Sequence, residues 1–202
     1  MYKKIEMKRV SIILLVFCFF ITGFTGGGNT IEDFQLKNVD GKILSLKDFP
    51  EAKGFIIIFT SNGCPFAKLY PQRMNEMNLK YMPLGVPLIA INSTDTLQFE
   101  ENSFTEMVKS AKESNFNFSY LTDAEQIVAK NFGAKKTPHA FVIWKENNEW
   151  IIKYNGAIDD NAAHPELVKN KYVENAVDEL LKGEEVKINE TKSIGCSIIY
   201  KK

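Results

Sequence analysis

Two rhythms of apolar and polar positions organise this chain. From Phe55 to Phe59 the apolar run is unbroken (FIIIF), the mark of a strand buried on both faces, as in a parallel sheet. It stops at Thr60-Ser61-Asn62-Gly63, which is turn chemistry. A helix is predicted from Pro65 to about Tyr81. Pro65 falls in its first turn, where a missing N–H costs little, and Pro71 is expected as an internal kink. Upstream, IEDFQLKNV and KILSLKDF alternate in part across Asp40-Gly41 and predict a β-hairpin within Ile31–Phe49. Downstream, Val86–Asn92 is a second β-type run, and Ser93–Ser103 is a polar loop. Phe104, Met107, Val108 and Ala111 share one face of a helix predicted over Phe104–Glu113. A short strand over Phe116–Leu121 follows, then a helix over Ala124–Asn131 capped by Asp123 and stopped by Gly133. The strand Ala140–Trp144, entered from Thr137-Pro138, turns at Glu146–Glu149 into Trp150–Tyr154, an antiparallel hairpin. A polar loop over Asn155–Asp160, an amphipathic helix over Pro165–Lys182 closed by Gly183, and a tail through Ser193–Tyr200 complete the pattern.

Strands alternating with helices, then a hairpin and a last helix, define an α/β class with a mixed sheet. The 202 residues suit one domain with a sizeable core. Lys+Arg and Asp+Glu balance at 25 each, so no global field draws nucleic acid or an anionic membrane. Residues 1–28 stand apart. Lys3, Lys4, Lys8 and Arg9 precede an apolar stretch, Val10–Phe24, and then the small residues Thr25-Gly26-Gly27-Gly28. This is the layout of a secretory signal peptide whose core is short for a membrane span. Cleavage is expected within Gly23–Gly28, leaving a folded domain over 29–202; a retained segment is the one route to a membrane. Cys18, inside the apolar stretch, is hydrophobic filler.

Export leaves Cys64 and Cys196, an even pair in an oxidising compartment. Either they form a fixed structural disulfide, worth on the order of 4–5 kcal/mol for a loop of roughly 130 residues, or they are a reactive cysteine and its resolving partner. Cys64 lies at a strand-to-helix junction, where unpaired N–H groups and the helix dipole favour the thiolate, the reactive form. Lys68, one turn on, adds positive charge to the same helical face. A buried, inert cysteine is the plain alternative. Nothing in the sequence calls for a cofactor. Asp159-Asp160 with His164 is a weak metal pattern, because carboxylates in polar loops are usually solvated or capping.

The strand–SNGC–helix unit, Thr137-Pro138 and the closing hairpin plus helix resemble a thioredoxin-like fold. The N-terminal hairpin is similar to the extension of its peroxiredoxin-like branch, the alkyl hydroperoxide reductase/thiol-specific antioxidant or redoxin family. Bacterial members carry C-x-x-C-P-[FY]-x-K-like, T-P-H, G-x-I-D-D and G-C-x-I stretches. They match Ser61–Lys68, Thr137–His139, Gly156–Asp160 and Gly195–Ile198. One departure is chemical: the first cysteine of the family's C-x-x-C is Ser61 here, which removes two-cysteine exchange within that motif. Ser61-x-x-Cys64 instead resembles the Thr/Ser-x-x-Cys of peroxiredoxins, although the proline expected four residues before the hydroxyl is Ile57. The resemblance implies an exported, periplasmic or extracellular, thiol oxidoreductase. In it Cys64 attacks a peroxide or a disulfide, Cys196 captures the product, and an unidentified thiol restores the pair. Ser61 would hydrogen-bond the thiolate or the peroxide. Thr137 and Pro138 would flank substrate, and His139 would tune Cys64. A redox-inactive binding module stays open beside it, with a permanent disulfide or with copper held by Cys64 and His139.

Overall fold

The computed structural model describes residues 30–201; the predicted signal peptide, with Cys18, lies outside them. The apolar run becomes strand β4 (Gly54–Thr60), every residue of it buried. β4 is parallel to β5 (Leu88–Asn92), and β5 is parallel to β6 (Ser119–Thr122). On its other edge β4 is antiparallel to β8 (His139–Glu146), which turns through Asn147-Asn148 into β9 (Glu149–Gly156). Both turn residues have positive φ, 50° and 65°, a conformation asparagine tolerates better than most residues. The predicted N-terminal hairpin is β2 (Gln35–Asn38) with β3 (Ile43–Ser45), and β2 extends the sheet beyond β6. β1 (Thr30–Ile31) closes the opposite edge on β9, giving the order β1-β9-β8-β4-β5-β6-β2-β3.

Alternate residues of β4 point to opposite faces. Ile56 and Ile58 join Met74, Met77 and Tyr81 of α1 (Pro71–Tyr81), Met107 of α2 (Phe104–Glu113) and Val173 and Val177 of α4 (Tyr172–Leu181). Phe55, Ile57 and Phe59 join Phe132 of α3 (Ile127–Phe132), Leu46 and Phe141 in the second core. The architecture is the expected mixed sheet with helices on both faces.

Four boundaries differ from expectation, one because of a proline and three because a hydrogen bond commits the backbone elsewhere. The helix predicted from Pro65 is broken. A turn and a short 3-10 segment, Ala67–Leu69, precede α1, and Pro71 is its first residue. Proline has no N–H to give and disfavours a helical residue before it, so it starts a helix more readily than it kinks one. The helix predicted from Pro165 begins only at Tyr172, because the Asp160 carboxylate accepts the Lys169 and Asn170 N–H groups, each at 3.0 Å. The sixth strand starts at Ser119, since Phe116 N–H still closes α2 onto Ala111 O. α3 starts at Ile127, with Asp123 accepting the N–H groups of Val128 (3.3 Å) and Ala129 (2.9 Å) from before the helix.

Candidate active site

Cys64 follows the end of central strand β4 and is 2% exposed. Its Sγ lies 2.8 Å from the carbonyl oxygen of Thr137, the last residue of the short strand β7 (Lys136–Thr137). The Thr137–Pro138 peptide bond is cis. The C-terminal tail supplies β10 (Cys196–Ser197), which pairs antiparallel with β7 so that Cys196 stands opposite Thr137. Gly195 permits the approach: a Cβ there would collide with the Thr137 carbonyl. Two cysteines far apart in sequence are thereby placed against one residue, both as free thiols.

The two thiols are not equivalent. Burial pushes the Cys64 pKa up, but hydrogen bonds outweigh it, led by the Cys196 thiol and followed by the Thr137 side chain and the backbone at Ala67 and Cys196. The net direction is down from the ordinary 9.0. Cys196 moves the opposite way, to about 11, through burial, then its hydrogen bond to Cys64 and the charge there. The Thr137 carbonyl, 2.8 Å away, favours the protonated Cys64 thiol and works against that direction. Of the two, Cys64 is the thiol that gives up its proton more readily.

A cavity of about 140 Å³ opens onto both sulfurs, lined also by Ser61, Gly63, Thr94, Phe99, Asn102 and Ile199. Ser61 is there as expected, but its hydroxyl donates to Asn102 Oδ1 at 2.9 Å rather than to Cys64. The same oxygen accepts Asn62 N–H at 2.9 Å and Asn92 Nδ2 at 3.0 Å. Because Asn62 N–H can only donate, the amide orientation of Asn102 is fixed. Its Nδ2 donates to no protein group among the described residues. Sequence reading passed over Asn102 within the 93–103 loop, and no local signal marks it.

Other expected site residues fall elsewhere. Lys68 is solvent-exposed, and only its backbone N–H reaches back, to Cys64 O at 3.1 Å. Pro138 is buried beneath Gly195. His139 does not line the cavity: its Nδ1 accepts Lys135 N–H at 3.2 Å and its ring packs on Phe141. Burial drives its pKa down to about 4, so it is neutral at pH 7 and supplies no charge. Held by the Lys135 N–H and packed on Phe141, it shares no cavity with Cys64. In the 159–160 loop, Asp159 pairs with Arg73 at 2.5 Å and accepts the Tyr70 hydroxyl, while Asp160 holds the 169–170 backbone.

Cys64 and Cys196 thus lie together beside Thr137, at the end of the central strand of a thioredoxin-like fold. The AhpC/TSA family model matches residues 28–160, more than half of the chain, and the chain belongs to that family. The thiol-disulfide oxidoreductase ResA of Bacillus thuringiensis subsp. konkukian is 29% identical over 120 residues, 59% of this chain and 64% of that relative, so the match spans less than two thirds of its length. A conserved Geobacillus kaustophilus protein of known crystal structure is 35% identical, with a TM-score of 0.78 over 86% of this chain and 92% of its own. The peroxidoxin BcpB of Mycobacterium tuberculosis shares the fold at a TM-score of 0.51 and 20% identity, over 63% of this chain and 82% of its own.

Proposed function

We propose that the protein is an exported two-cysteine thiol oxidoreductase with Cys64 as nucleophile and Cys196 as resolving thiol. The observation that carries this is the β7–β10 pairing, which presents Cys196 to a Cys64 held below the ordinary thiol pKa. With a hydroperoxide, the Cys64 thiolate attacks the distal oxygen, the O–O bond breaks, and the alcohol or water leaves after taking up a proton. The Cys64 sulfenic acid then condenses with the Cys196 thiol, forming the S–S bond and releasing water. With a disulfide oxidant, Cys64 forms a mixed disulfide and expels one thiolate, and Cys196 displaces the second. An external thiol pair restores both cysteines. The absence of an in-motif partner at Ser61 fits a resolving role for the tail cysteine. Export rests on the basic and apolar N-terminal pattern.

The test is stoichiometric hydrogen peroxide on reduced protein, followed by thiol trapping and mass mapping. A Cys64–Cys196 disulfide is expected, lost in Cys64→Ser and replaced by a Cys64 sulfenic acid in Cys196→Ser. Its rate should rise with pH through a midpoint below 9, then level off while Cys196 stays protonated up to about 11. Two unmodified thiols after peroxide and after a disulfide oxidant would remove the enzymatic reading in favour of a binding module.

A further inference from the structure

The tail does more than carry Cys196. After β10, Ile198 N–H bonds Lys135 O at 3.0 Å, and the Tyr200 hydroxyl bonds Ala134 O at 2.6 Å. Gln126, fully buried, grips the tail as a neighbouring strand would: its Nε2 donates to Ile199 O at 2.9 Å and its Oε1 accepts Lys201 N–H at 2.7 Å. Ile198 and Tyr200 also pack on the second core. Before β10, Thr191 N–H bonds Asn155 O at 3.0 Å, and the Thr191 hydroxyl accepts Ala157 N–H at 2.9 Å. The segment 191–201 is therefore a strap tied at both ends, with Cys196 between the ties.

We infer that this strap closes the β7 edge against polypeptide oxidants, so that Cys64 is oxidised only by molecules that enter the cavity. An exposed strand edge is where an extended polypeptide adds by backbone pairing, with its side chains offered to the neighbouring site. Here that place is taken by this chain's own strand, and the residue opposite Thr137 is already a cysteine. What remains open is the cavity of about 140 Å³, where a single water needs roughly 10–15 Å³ on the same measure. It has room for a small oxidant, while the strand position beside Thr137 is already filled. The inference rests on the two-cysteine reading and adds its specificity.

The experiment compares formation of the Cys64–Cys196 bond by a disulfide-linked peptide dimer and by cystamine, a small disulfide, under one set of conditions. The peptide is expected to react slower by on the order of a hundredfold, since several strap hydrogen bonds must open first. Gln126→Ala, and the milder Tyr200→Phe should the first not fold, should speed the peptide about tenfold and leave cystamine unchanged. Amide exchange of the reduced protein should show Ile198 and Lys201 protected. Equal rates for peptide and cystamine, or exchange of those amides as fast as free chain, overturns the strap while the redox pair stands. Failure of every oxidant to form the bond, with the amides protected, sinks the redox reading and the specificity built on it.

Discussion

Cys64 and Cys196 show how far a single residue type in context can be read. The count alone left them either a fixed disulfide or a reactive cysteine with its resolving partner, and the register of β10 on β7 places Cys196 opposite Thr137, against which Cys64 lies, with both thiols free. Which of them ionises first was less legible. Lys68 was expected to favour the Cys64 thiolate, whereas the groups that do so are the Cys196 thiol, the Thr137 side chain and two backbone positions. Charge can be counted from sequence, but hydrogen bonds across dozens of residues cannot. His139 illustrates the opposite error. Proximity to Pro138 in sequence suggested a tuning role, yet strand alternation turns its ring into the core beside Phe141. Its pKa of about 4 in the folded protein, against 6.5 ordinarily, has a thermodynamic consequence. Between those values the unfolded chain binds the extra proton, so stability is complete above about pH 6.5 and is lost as pH falls toward 4. The loss attributable to this group is roughly 3 kcal/mol. Denaturant titrations at pH 7 and pH 4 should show it, and His139→Gln should lack that share of the difference. An equal acid loss in the variant would remove His139 from the account.

At the scale of elements, periodicity found the strands and helices and misplaced their ends. The break at Pro71 comes from the proline itself, and the late starts of α3 and α4 come from groups whose partners lie in loops: Asp160 for the 169–170 backbone, Asp123 for the start of α3. The site depends on one such loop-to-loop tie. Asn102 joins the Ser61-Asn62 turn to the end of β5 by accepting from Ser61, Asn62 and Asn92 with a single oxygen. Asn102→Ala strands those donors in a largely buried place, at a cost on the order of 3 kcal/mol. Asn102→Asp keeps the acceptor and should retain much more of the stability. Chemical denaturation of the two variants distinguishes this tie from an incidental contact: equal losses in both would contradict it.

For the whole molecule, the mixed sheet and its N-terminal hairpin were legible because β4 reads as buried on both faces and Asp40-Gly41 marks a turn. The strap was not. Its ties run from residues 191–201 to Ala124, Gln126, Ala134, Lys135 and Asn155, and nothing in a stretch such as KSIGCSIIY announces an edge strand. The fold thus brings the far end of the chain to the end of its central strand and makes a two-thiol site where the local motif has only one. The most direct test is a redox titration of the purified protein in mixtures of reduced and oxidised dithiothreitol, quenched by alkylation and mapped by mass. The account predicts one two-electron transition that converts free Cys64 and Cys196 together into a peptide pair linked through those two sulfurs. Both cysteines alkylated at every ratio, or either one linked elsewhere, would contradict it.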